Sequence, residues 1–223
     1  MATDRIDGMP SALGLRERKK QQTRQQIAQT ANRLFAERGF DAVTVAEIAR
    51  AADVSEVTVF NYFPTKEDLF YGTMQFFEEQ LLRAVRDRPA GESALTTFRR
   101  VLLESSRNLA PPERGDLIET AARMIKSSPG LQAREQQIVA RYTQDLAALL
   151  AADTGARSDD VEAAGVAAAL MGVHRAVVAF VRAEVLSGRR GQALARVMRT
   201  QAARAFDRLE TGMGSYAVKR TRR

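Results

Sequence analysis

The sequence has no cysteine, no tryptophan and one histidine among its 223 residues. Without cysteine the chain has no disulfide scaffold, no iron–sulfur cluster and no thiol nucleophile, and a single histidine excludes every site that needs two. The sequence also lacks the G-x-S-x-G, glycine-rich phosphate-loop and H-E-x-x-H motifs of common enzyme classes. We therefore expect no catalytic residue, no metal site and no cofactor.

Long hydrophobic runs are also scarce. Residues 1–20 carry three acidic side chains and no apolar run, so we expect no signal peptide. The most apolar stretch, Val161–Val181, is rich in alanine and is interrupted by a glutamate, a histidine and an arginine. Those features favour a buried helix over a membrane span. We expect a soluble cytoplasmic protein without a membrane partner.

Basic residues exceed acidic ones by 34 to 27, which gives a formal net charge of +7. The excess is uneven, because residues 1–70 hold 10 basic and 10 acidic side chains whereas residues 186–223 hold 10 and 2. A basic surface attracts nucleic acid through its phosphates, but the N-terminal third has no excess of basic residues. The net charge is therefore weak support for nucleic-acid binding. Whether the chain binds nucleic acid has to be judged from its sequence motifs.

Helical periodicity and helix-capping residues run through the chain, and no alternation typical of strands occurs. A first helix over Arg18–Arg38 ends before a glycine that suits a left-handed C-terminal cap. Thr44, Ser55 and Thr65 are N-caps of three more helices, and the third of these runs to about Arg86. The remaining helical segments are 92–109, 113–127, 131–152, 158–187 and 191–210. We predict an all-α protein of about nine helices.

The two short helices between residues 44 and 63 are the most informative part of the sequence. They meet across a tight turn at Asp53, each has its own N-cap, and a proline ends the second. This arrangement is typical of a helix-turn-helix, whose second helix lies in the major groove of DNA. If Val59 and Phe63 are buried, the outward face and its edges contain Glu56, Val57, Thr58, Phe60, Asn61 and Tyr62. An ordinary corner between two helices of a bundle is the alternative.

From Phe35 to Phe70 the chain reads FAERGFDAVTVAEIARAADVSEVTVFNYFPTKEDLF, and this run resembles the N-terminal domain of the TetR (tetracycline-repressor) family of bacterial transcription regulators. The match covers about residues 20–72. The resemblance implies an N-terminal three-helix helix-turn-helix domain and a C-terminal helical ligand-binding and dimerisation domain. It also implies a sequence-specific repressor that a small-molecule effector of unknown identity releases from a near-palindromic operator in double-stranded DNA.

The resemblance also assigns DNA contacts to positions of this sequence. Thr44 and Lys66 correspond to phosphate contacts, and Tyr62 corresponds to a contact with the DNA backbone. Phe60 stands where the family usually has tyrosine, which implies an apolar contact, and Glu56 stands where lysine, arginine or a small residue is common. The implied DNA-binding residues are Thr44, Ser55, Glu56, Val57, Thr58, Phe60, Asn61, Tyr62 and Lys66.

We expect four segments: a flexible basic leader, a DNA-binding domain, a ligand-binding and dimerisation domain, and a basic tail, over residues 1–17, 18–72, 73–210 and 211–223. A cluster of basic residues lies around the start of the first helix and consists of Arg16, Arg18, Lys19, Lys20 and Arg24. It is either the solvated start of a helix or an N-terminal arm that grips phosphates or the minor groove. The tail is either a frayed end or a non-specific phosphate contact.

The C-terminal two-thirds of the chain carries less specific signals. Leu117–Arg134 weakly resembles one subgroup of TetR-like ligand domains and identifies no effector. Small residues at helical spacing in 162–180 let a second helix approach closely. The resemblance to the family implies a homodimer through helix 8 (158–187) and helix 9 (191–210). The predicted outer stripe of helix 8 includes Ala168, Met171, Val178 and Val181.

The candidate effector-binding residues are mostly polar groups on apolar helices, namely Arg123, Tyr142, Met171, His174 and Arg175. His174 is, alternatively, an ordinary core or interface residue. Two other functions stay open at this point: a helical enzyme or carrier with a vestigial DNA-binding module, and a scaffold that only associates through its last two helices. Turnover of a ligand would identify the first, and sequence-specific DNA binding would exclude the second.

Overall fold

The computed structural model describes residues 15–213, apart from the side chains of residues 15–17, 73, 74, 76 and 213. The predicted leader up to residue 14, the side chain of Arg16 and the tail from residue 214 lie outside this description. The described residues contain helices and no strand, which confirms the predicted all-α class. The nine α-helices are α1 (Leu15–Arg38), α2 (Val45–Ala51), α3 (Glu56–Tyr62), α4 (Lys66–Arg86), α5 (Ala94–Ser105), α6 (Pro112–Ser127), α7 (Pro129–Thr154), α8 (Val161–Leu186) and α9 (Gly191–Met213), and a short 3-10 helix, Ser106–Leu109, follows α5.

The chain forms two compact units, and the division between them falls between Thr73 and Met74, inside α4. The first unit contains α1, α2, α3 and the first turns of α4. The second contains the rest of α4 and all the helices that follow it. The helix-turn-helix therefore belongs to a compact unit of its own.

Aromatic rings form the centre of the first unit. Phe35 of α1 packs 5.1 Å from Phe40 and 6.2 Å from Phe70 of α4, measured between ring centroids, and Phe40 and Phe70 meet edge to face at 5.9 Å. Gly39 allows the sharp turn between these rings, because its φ of 85° is a conformation that other residues rarely adopt. Its N–H donates to the Phe35 carbonyl at 2.8 Å, as a C-terminal cap does.

The backbone of α4 passes very close to the end of α3. A Cβ atom built on Gly72 would lie 2.8 Å from Cε1 of Phe63, and Phe63 is buried at the C-terminus of α3. Such a distance is shorter than van der Waals contact, so the side chain at position 72 must be a hydrogen atom. Gly72 therefore sets how closely α3 is held against α4.

α8 is the central helix of the second unit and contacts α5, α6, α7 and α9. It buries one face, which consists of Ala163, Val166, Ala167, Leu170, Met171, His174, Val177, Val181 and Val185. Among the described helices α8 alone has the length and hydropathy that a membrane span needs, with a mean hydropathy of 1.8 over its most apolar part. A core helix can have the same length and hydropathy as a membrane span, and the packing of α8 against four other helices is that of a core helix.

The predicted outer stripe of α8 is wrong at two positions. Met171 and Val181 are buried, whereas Ala168 is exposed and Val178 is half-buried. The opposite face is open to solvent in the single chain and runs from Val161 to Leu186. Because α8 is rich in alanine on both faces, its sequence does not distinguish the inner face from the outer one.

Arg88 holds the C-terminal half of α4 against α7. Its Nη1 donates to the Val85 carbonyl at 2.6 Å and lies 2.7 Å from Oδ2 of Asp153, and its Nε donates to the Glu92 carbonyl at 3.1 Å. The guanidinium is buried, so these partners compensate for the loss of its hydration. The end of α4, the following turn and the end of α7 are thereby fixed to one another.

Replacing Gly72 tests the close approach of α3 and α4. At an unhindered helical site Gly→Ala stabilises a protein by about 1 kcal/mol, but we expect Gly72→Ala to destabilise the chain by about 1–3 kcal/mol because of overpacking against Phe63. Urea unfolding measures the change in free energy. In a Phe63→Leu background, which lacks the ring atoms that clash, the same substitution should cost less. A stabilising Gly72→Ala would show that the two helices are not in close contact.

Candidate DNA-binding surface and ligand site

A reciprocal capping box fixes the start of α2. The Thr44 hydroxyl accepts a hydrogen bond from the Glu47 N–H at 3.2 Å, and the Thr44 N–H donates to Oε2 of Glu47 at 2.8 Å. Arg38, at the end of α1, lies 2.8 Å from Oε1 of the same glutamate. Hydrogen bonds from the Thr44 backbone, the Arg38 guanidinium and the Thr44 hydroxyl lower the pKa of Glu47 to about 2. The predicted N-cap at Thr44 is confirmed, and through Glu47 the capping box ties α2 to α1.

The turn between α2 and α3 requires one left-handed residue, and Asp53 provides it. Its φ is 54°, and among the described residues no other non-glycine residue has a positive φ. Aspartate tolerates this region better than most residues, as the sequence suggested. The Val54 N–H donates to the Ala49 carbonyl at 3.0 Å, and Gln26 of α1 donates from its amide to the Ala52 carbonyl at 3.0 Å. The direction in which α3 leaves the turn is therefore fixed.

α3 turns one face inward and leaves the other in solvent. Val59 is fully buried, and so is Phe63 just beyond the helix, as the helical period predicted. The residues of α3 exposed to solvent are Glu56, Val57, Phe60 and Asn61. A seven-residue helix with an accessible face of mixed polar and apolar side chains fits the major groove of B-DNA.

Ser55 and Thr58 are committed to the N-cap of α3. The Thr58 N–H donates to the Ser55 hydroxyl at 3.0 Å, and the two hydroxyl oxygens lie 2.8 Å apart. Thr58 is half-buried. Its hydroxyl is thus less available for a base contact than the sequence suggested, which leaves Asn61 and Glu56 as the exposed hydrogen-bonding side chains of α3.

Two further predicted DNA contacts, Lys66 and Tyr62, are half-buried near the start of α4. The Lys66 ammonium lies over two aromatic rings, 4.4 Å from the centroid of Phe40 and 5.9 Å from that of Phe35. Its Nζ also donates to the Asp41 carbonyl at 3.5 Å. These contacts hold a positive charge at the edge of the first unit, where a phosphate could replace the weak bond to the carbonyl.

The basic residues of α1 form an exposed strip. Arg18, Lys19 and Lys20 are exposed, and Arg24 is half-buried with its guanidinium 5.6 Å from the centre of the Phe63 ring. Phe63 directly follows α3, so Arg24 places a basic group beside the predicted recognition helix.

Three helices of the second unit bring polar groups into its interior. The Tyr142 hydroxyl on α7 donates to the Gln75 carbonyl on α4 at 3.3 Å. His174 on α8 stacks on Phe77 of α4, with ring centroids 5.7 Å apart. Burial lowers the pKa of His174 to about 4, with the charge of Arg182 adding to the effect, so the imidazole is neutral at neutral pH.

Two buried atoms of this interior have no hydrogen-bond partner within the part of the chain that the structure describes: Oε2 of Glu78 and Nδ1 of His174. Burial raises the pKa of Glu78 to about 7, and repulsion from the carboxylates of Glu135 and Glu79 adds to it. Glu135, which also acts on His174, is held by Arg182 in a two-bond pair at 2.6 and 3.0 Å. Unpaired buried polar atoms are costly, so each of the two is a candidate contact for a bound molecule.

Of the five predicted effector-binding residues, three are buried and two are not. Tyr142, Met171 and His174 are buried in the second unit. Arg175 is exposed, and Arg123 is exposed and binds Glu119 on its own helix at 2.6 Å. The two arginines therefore lie at the surface.

Sequence reasoning missed Gln75 and Glu78 altogether. Both lie on α4 beside the apolar stripe that includes Phe77 and Leu81, and nothing in the charge pattern distinguishes Glu78 from the exposed glutamates. Its burial depends on α7, which is distant in sequence. Only the packed structure identifies it.

The raised pKa of Glu78 predicts a pH-dependent loss of stability. Because the folded state holds this proton up to about pH 7 and the unfolded chain releases it near pH 4.5, the free energy of unfolding falls as the pH rises between these values. Glu78→Gln removes that fall, so the variant should gain stability relative to the unchanged chain between pH 5 and pH 8. Urea unfolding at both pH values measures the difference. The control Glu104→Gln, at an exposed position of α5, should follow the unchanged chain, and parallel profiles for Glu78→Gln would contradict the burial of this carboxyl.

Comparisons with known proteins agree with this geometry. Residues 27–71 match the bacterial regulatory proteins of the tetR family, and residues 92–214 match the MftR C-terminal domain. The HTH-type transcriptional regulator TcmR of Streptomyces glaucescens is 33% identical over 155 residues, which cover 68% of this chain and 69% of TcmR. MftR of Mycobacterium tuberculosis, named for transcriptional regulation of mycofactocin biosynthesis, is 27% identical over 163 residues, which cover 70% of this chain and 78% of MftR.

Solved structures show the same fold. A TetR transcriptional regulator from Rhodococcus sp. RHA1 superposes with a TM-score of 0.53 at 20% identity, over 86% of this chain and 98% of that one. Regulators of this family bind operator DNA, typically as dimers, and release by small-molecule effectors is their general behaviour. They are not enzymes, which rules out a helical enzyme as the alternative. The chain belongs to the TetR family of bacterial transcriptional regulators.

Proposed function

We propose that this chain is a cytoplasmic, homodimeric repressor whose α3 reads one half of a near-palindromic operator. The observation that carries the proposal is the orientation of α3. Its buried Val59 and its capped start leave Glu56, Val57, Phe60 and Asn61 accessible, and accessible side chains on a short helix are what major-groove reading requires. An effector that binds in the second unit ends repression.

We assign the contacts with DNA bases and the contacts with DNA phosphates to different residues. Asn61 is exposed and can both donate and accept hydrogen bonds, so we assign it a base edge, with adenine as the preferred partner. Glu56 can accept only, and the exposed amino group of cytosine suits it. Thr44, Tyr62 and Lys66 lie at the edges of the helix-turn-helix, and we assign them to phosphates, which position the protein without reading sequence.

The exposed face of α8 supports dimerisation through a second copy. Most of its accessible residues at spacings of three, four and seven are small or apolar, namely Val161, Gly165, Ala168, Gly172, Ala179 and Leu186, and Arg175 lies at the edge of this stripe. A Cβ atom on Gly165 or Gly172 would meet nothing within 4 Å in the single chain. Glycine inside a helix costs about 1 kcal/mol relative to alanine, so a close approach by another molecule accounts for both glycines. α9 packs along α8 and extends this face.

The effector site that we propose lies among α4, α7 and α8, around Glu78, Tyr142 and His174. The ionised carboxylate of Glu78 accepts a hydrogen bond from a ligand and the protonated carboxyl can also donate one, whereas Nδ1 of neutral His174 accepts or donates according to its tautomer. The surrounding side chains include Phe77 and Met171, which are apolar. The effector that fits is a largely apolar molecule with at least one N–H or O–H group. We do not include Arg123 and Arg175 in the proposed site, because both side chains are exposed.

The division between base-reading and phosphate-contacting residues is tested by two alanine variants. Asn61→Ala should cost about 1–3 kcal/mol of binding free energy and relax the preference at one base pair of each half-site. Lys66→Ala should weaken binding to all sequences about equally and reduce the slope of log affinity against log salt by about 1 for each half-site, because one counterion-releasing contact is lost there. Fluorescence anisotropy over a salt series measures both.

Lys126→Ala, which changes an exposed lysine on α6 of the second unit, is the matched control and should leave affinity and salt slope unchanged. If Asn61→Ala weakens binding equally on every sequence, Asn61 contacts a phosphate and the assignment is wrong.

The dimer assignment is tested by a charge on the exposed face of α8. Ala168→Glu would bury a carboxylate without a partner at the interface of two copies, at a cost of several kcal/mol. We expect a folded monomer by light scattering and loss of binding to a two-half-site operator. Ala148→Glu, at an exposed position of α7, should remain dimeric. A dimeric Ala168→Glu with normal operator affinity would place the interface elsewhere.

A further inference from the structure

Two large apolar side chains of α3 are open to solvent. Val57 is 69% exposed and Phe60 is 47% exposed. Among the described residues only four large hydrophobic side chains are at least as exposed as Phe60, and two of them, Val57 and Phe60, share one helix of seven residues. An isolated exposed apolar residue needs no explanation, but two on adjacent turns of a recognition helix do.

The fold holds both side chains outward. Val59 is fully buried in the first unit, and the Ser55 cap fixes the start of α3, so the helix cannot rotate to bury Val57 or Phe60 without exposing Val59. Val57 and Phe60 occupy positions i and i+3 of the helix, so their side chains are neighbours on its surface, with Cβ atoms about 5–6 Å apart. They form one apolar patch beside the polar side chains of Glu56 and Asn61.

The chemistry of the DNA surface limits what this patch can contact. Phosphates and most atoms of the base edges are hydrogen-bonding groups. An apolar side chain packed against them would remove their water without replacing the lost hydrogen bonds. The apolar group that protrudes furthest from the base edges into the major groove is the C5-methyl of thymine. Phe60 has no hydroxyl with which to reach a phosphate, so its ring can stabilise the complex only by burying apolar surface.

We propose that Val57 and Phe60 read thymine methyl groups, so that each operator half-site carries two thymines one or two base-pair steps apart. The spacing follows from geometry, because base pairs stack about 3.4 Å apart and the two side chains are separated by about one and a half such steps. The two thymines lie on the same strand or on opposite strands. This inference rests on the proposed function, since it requires α3 to enter the major groove.

The test begins with an operator selected from random DNA by the full-length protein. Each thymine of one half-site is then replaced in turn by deoxyuridine, which removes the methyl group and keeps every hydrogen bond. We expect affinity to fall about fourfold at two positions within one or two base-pair steps of each other, as expected for one buried methyl group, and to stay unchanged elsewhere. Fluorescence anisotropy on the unchanged chain measures this, so no variant has to fold.

Protein variants then assign each methyl group to its side chain. Val57→Ala should abolish the deoxyuridine penalty at one of the two positions and Phe60→Ala at the other, whereas Asn61→Ala should leave both penalties in place. Circular dichroism checks that the variants are folded. We expect them to be, because the substituted side chains are exposed and contribute little to the core.

The outcomes separate this inference from the function on which it rests. A selected operator whose affinity is unaffected by any deoxyuridine, or that has no paired thymines, overturns the inference and leaves DNA reading intact. Penalties that persist in Val57→Ala and Phe60→Ala also overturn it, because another residue then contacts the methyl groups. If selection enriches no sequence at all, the proposed function itself fails.

Discussion

The whole DNA-facing surface depends on the turn between α2 and α3. Asp53 adopts a left-handed conformation there, Gln26 of α1 binds the carbonyl of the preceding residue, and Ser55 starts α3 at once. With the helix fixed in this way, the burial of Val59 decides which residues face outward. A change at the turn would rotate or tilt α3 and misplace every side chain that we assign to DNA. The reciprocal cap at Thr44 and the close packing at Gly72 hold the neighbouring helices, so the turn has a rigid frame.

Local signals predicted the first unit well because they act over a few residues. Capping residues, a left-handed turn and a proline stop each fix the backbone through contacts within one turn, and Thr44 and Ser55 cap their helices as predicted. The second unit was harder to predict, because burial there depends on helices far apart in sequence. The inward orientation of Met171 and Val181 was not predicted because α8 is apolar on both sides, and periodicity does not reveal that burial raises the pKa of the Glu78 carboxyl. Likewise the sequence did not reveal that the hydroxyl of Thr58, one of the implied DNA-binding residues, contacts the Ser55 hydroxyl at the N-cap of α3.

One helix connects the two activities that we propose. α4 begins at Lys66, which we assign to a phosphate, and continues to Arg86, past Gln75, Phe77 and Glu78. A ligand that binds Glu78 and His174 would change the environment of the same helix whose first turn we assign to DNA. Because unpaired buried polar atoms are costly, hydrogen bonds from the ligand to Glu78 or His174 would contribute to its affinity. We therefore propose α4 as the element through which effector binding affects operator binding, which requires the effector to bind the DNA-bound and DNA-free states with different affinity.

The central claim is that two copies of this chain present their α3 helices to DNA as a symmetric pair. Selection of bound fragments from genomic DNA by the purified full-length protein tests it most directly. Because groove periodicity fixes where two symmetric helices can bind, the account predicts an inverted repeat whose half-site centres are about one turn apart, roughly 34–36 Å, or a multiple of that distance. Enrichment of a single unrepeated site, or of a direct repeat, would contradict the symmetric pairing of the two recognition helices.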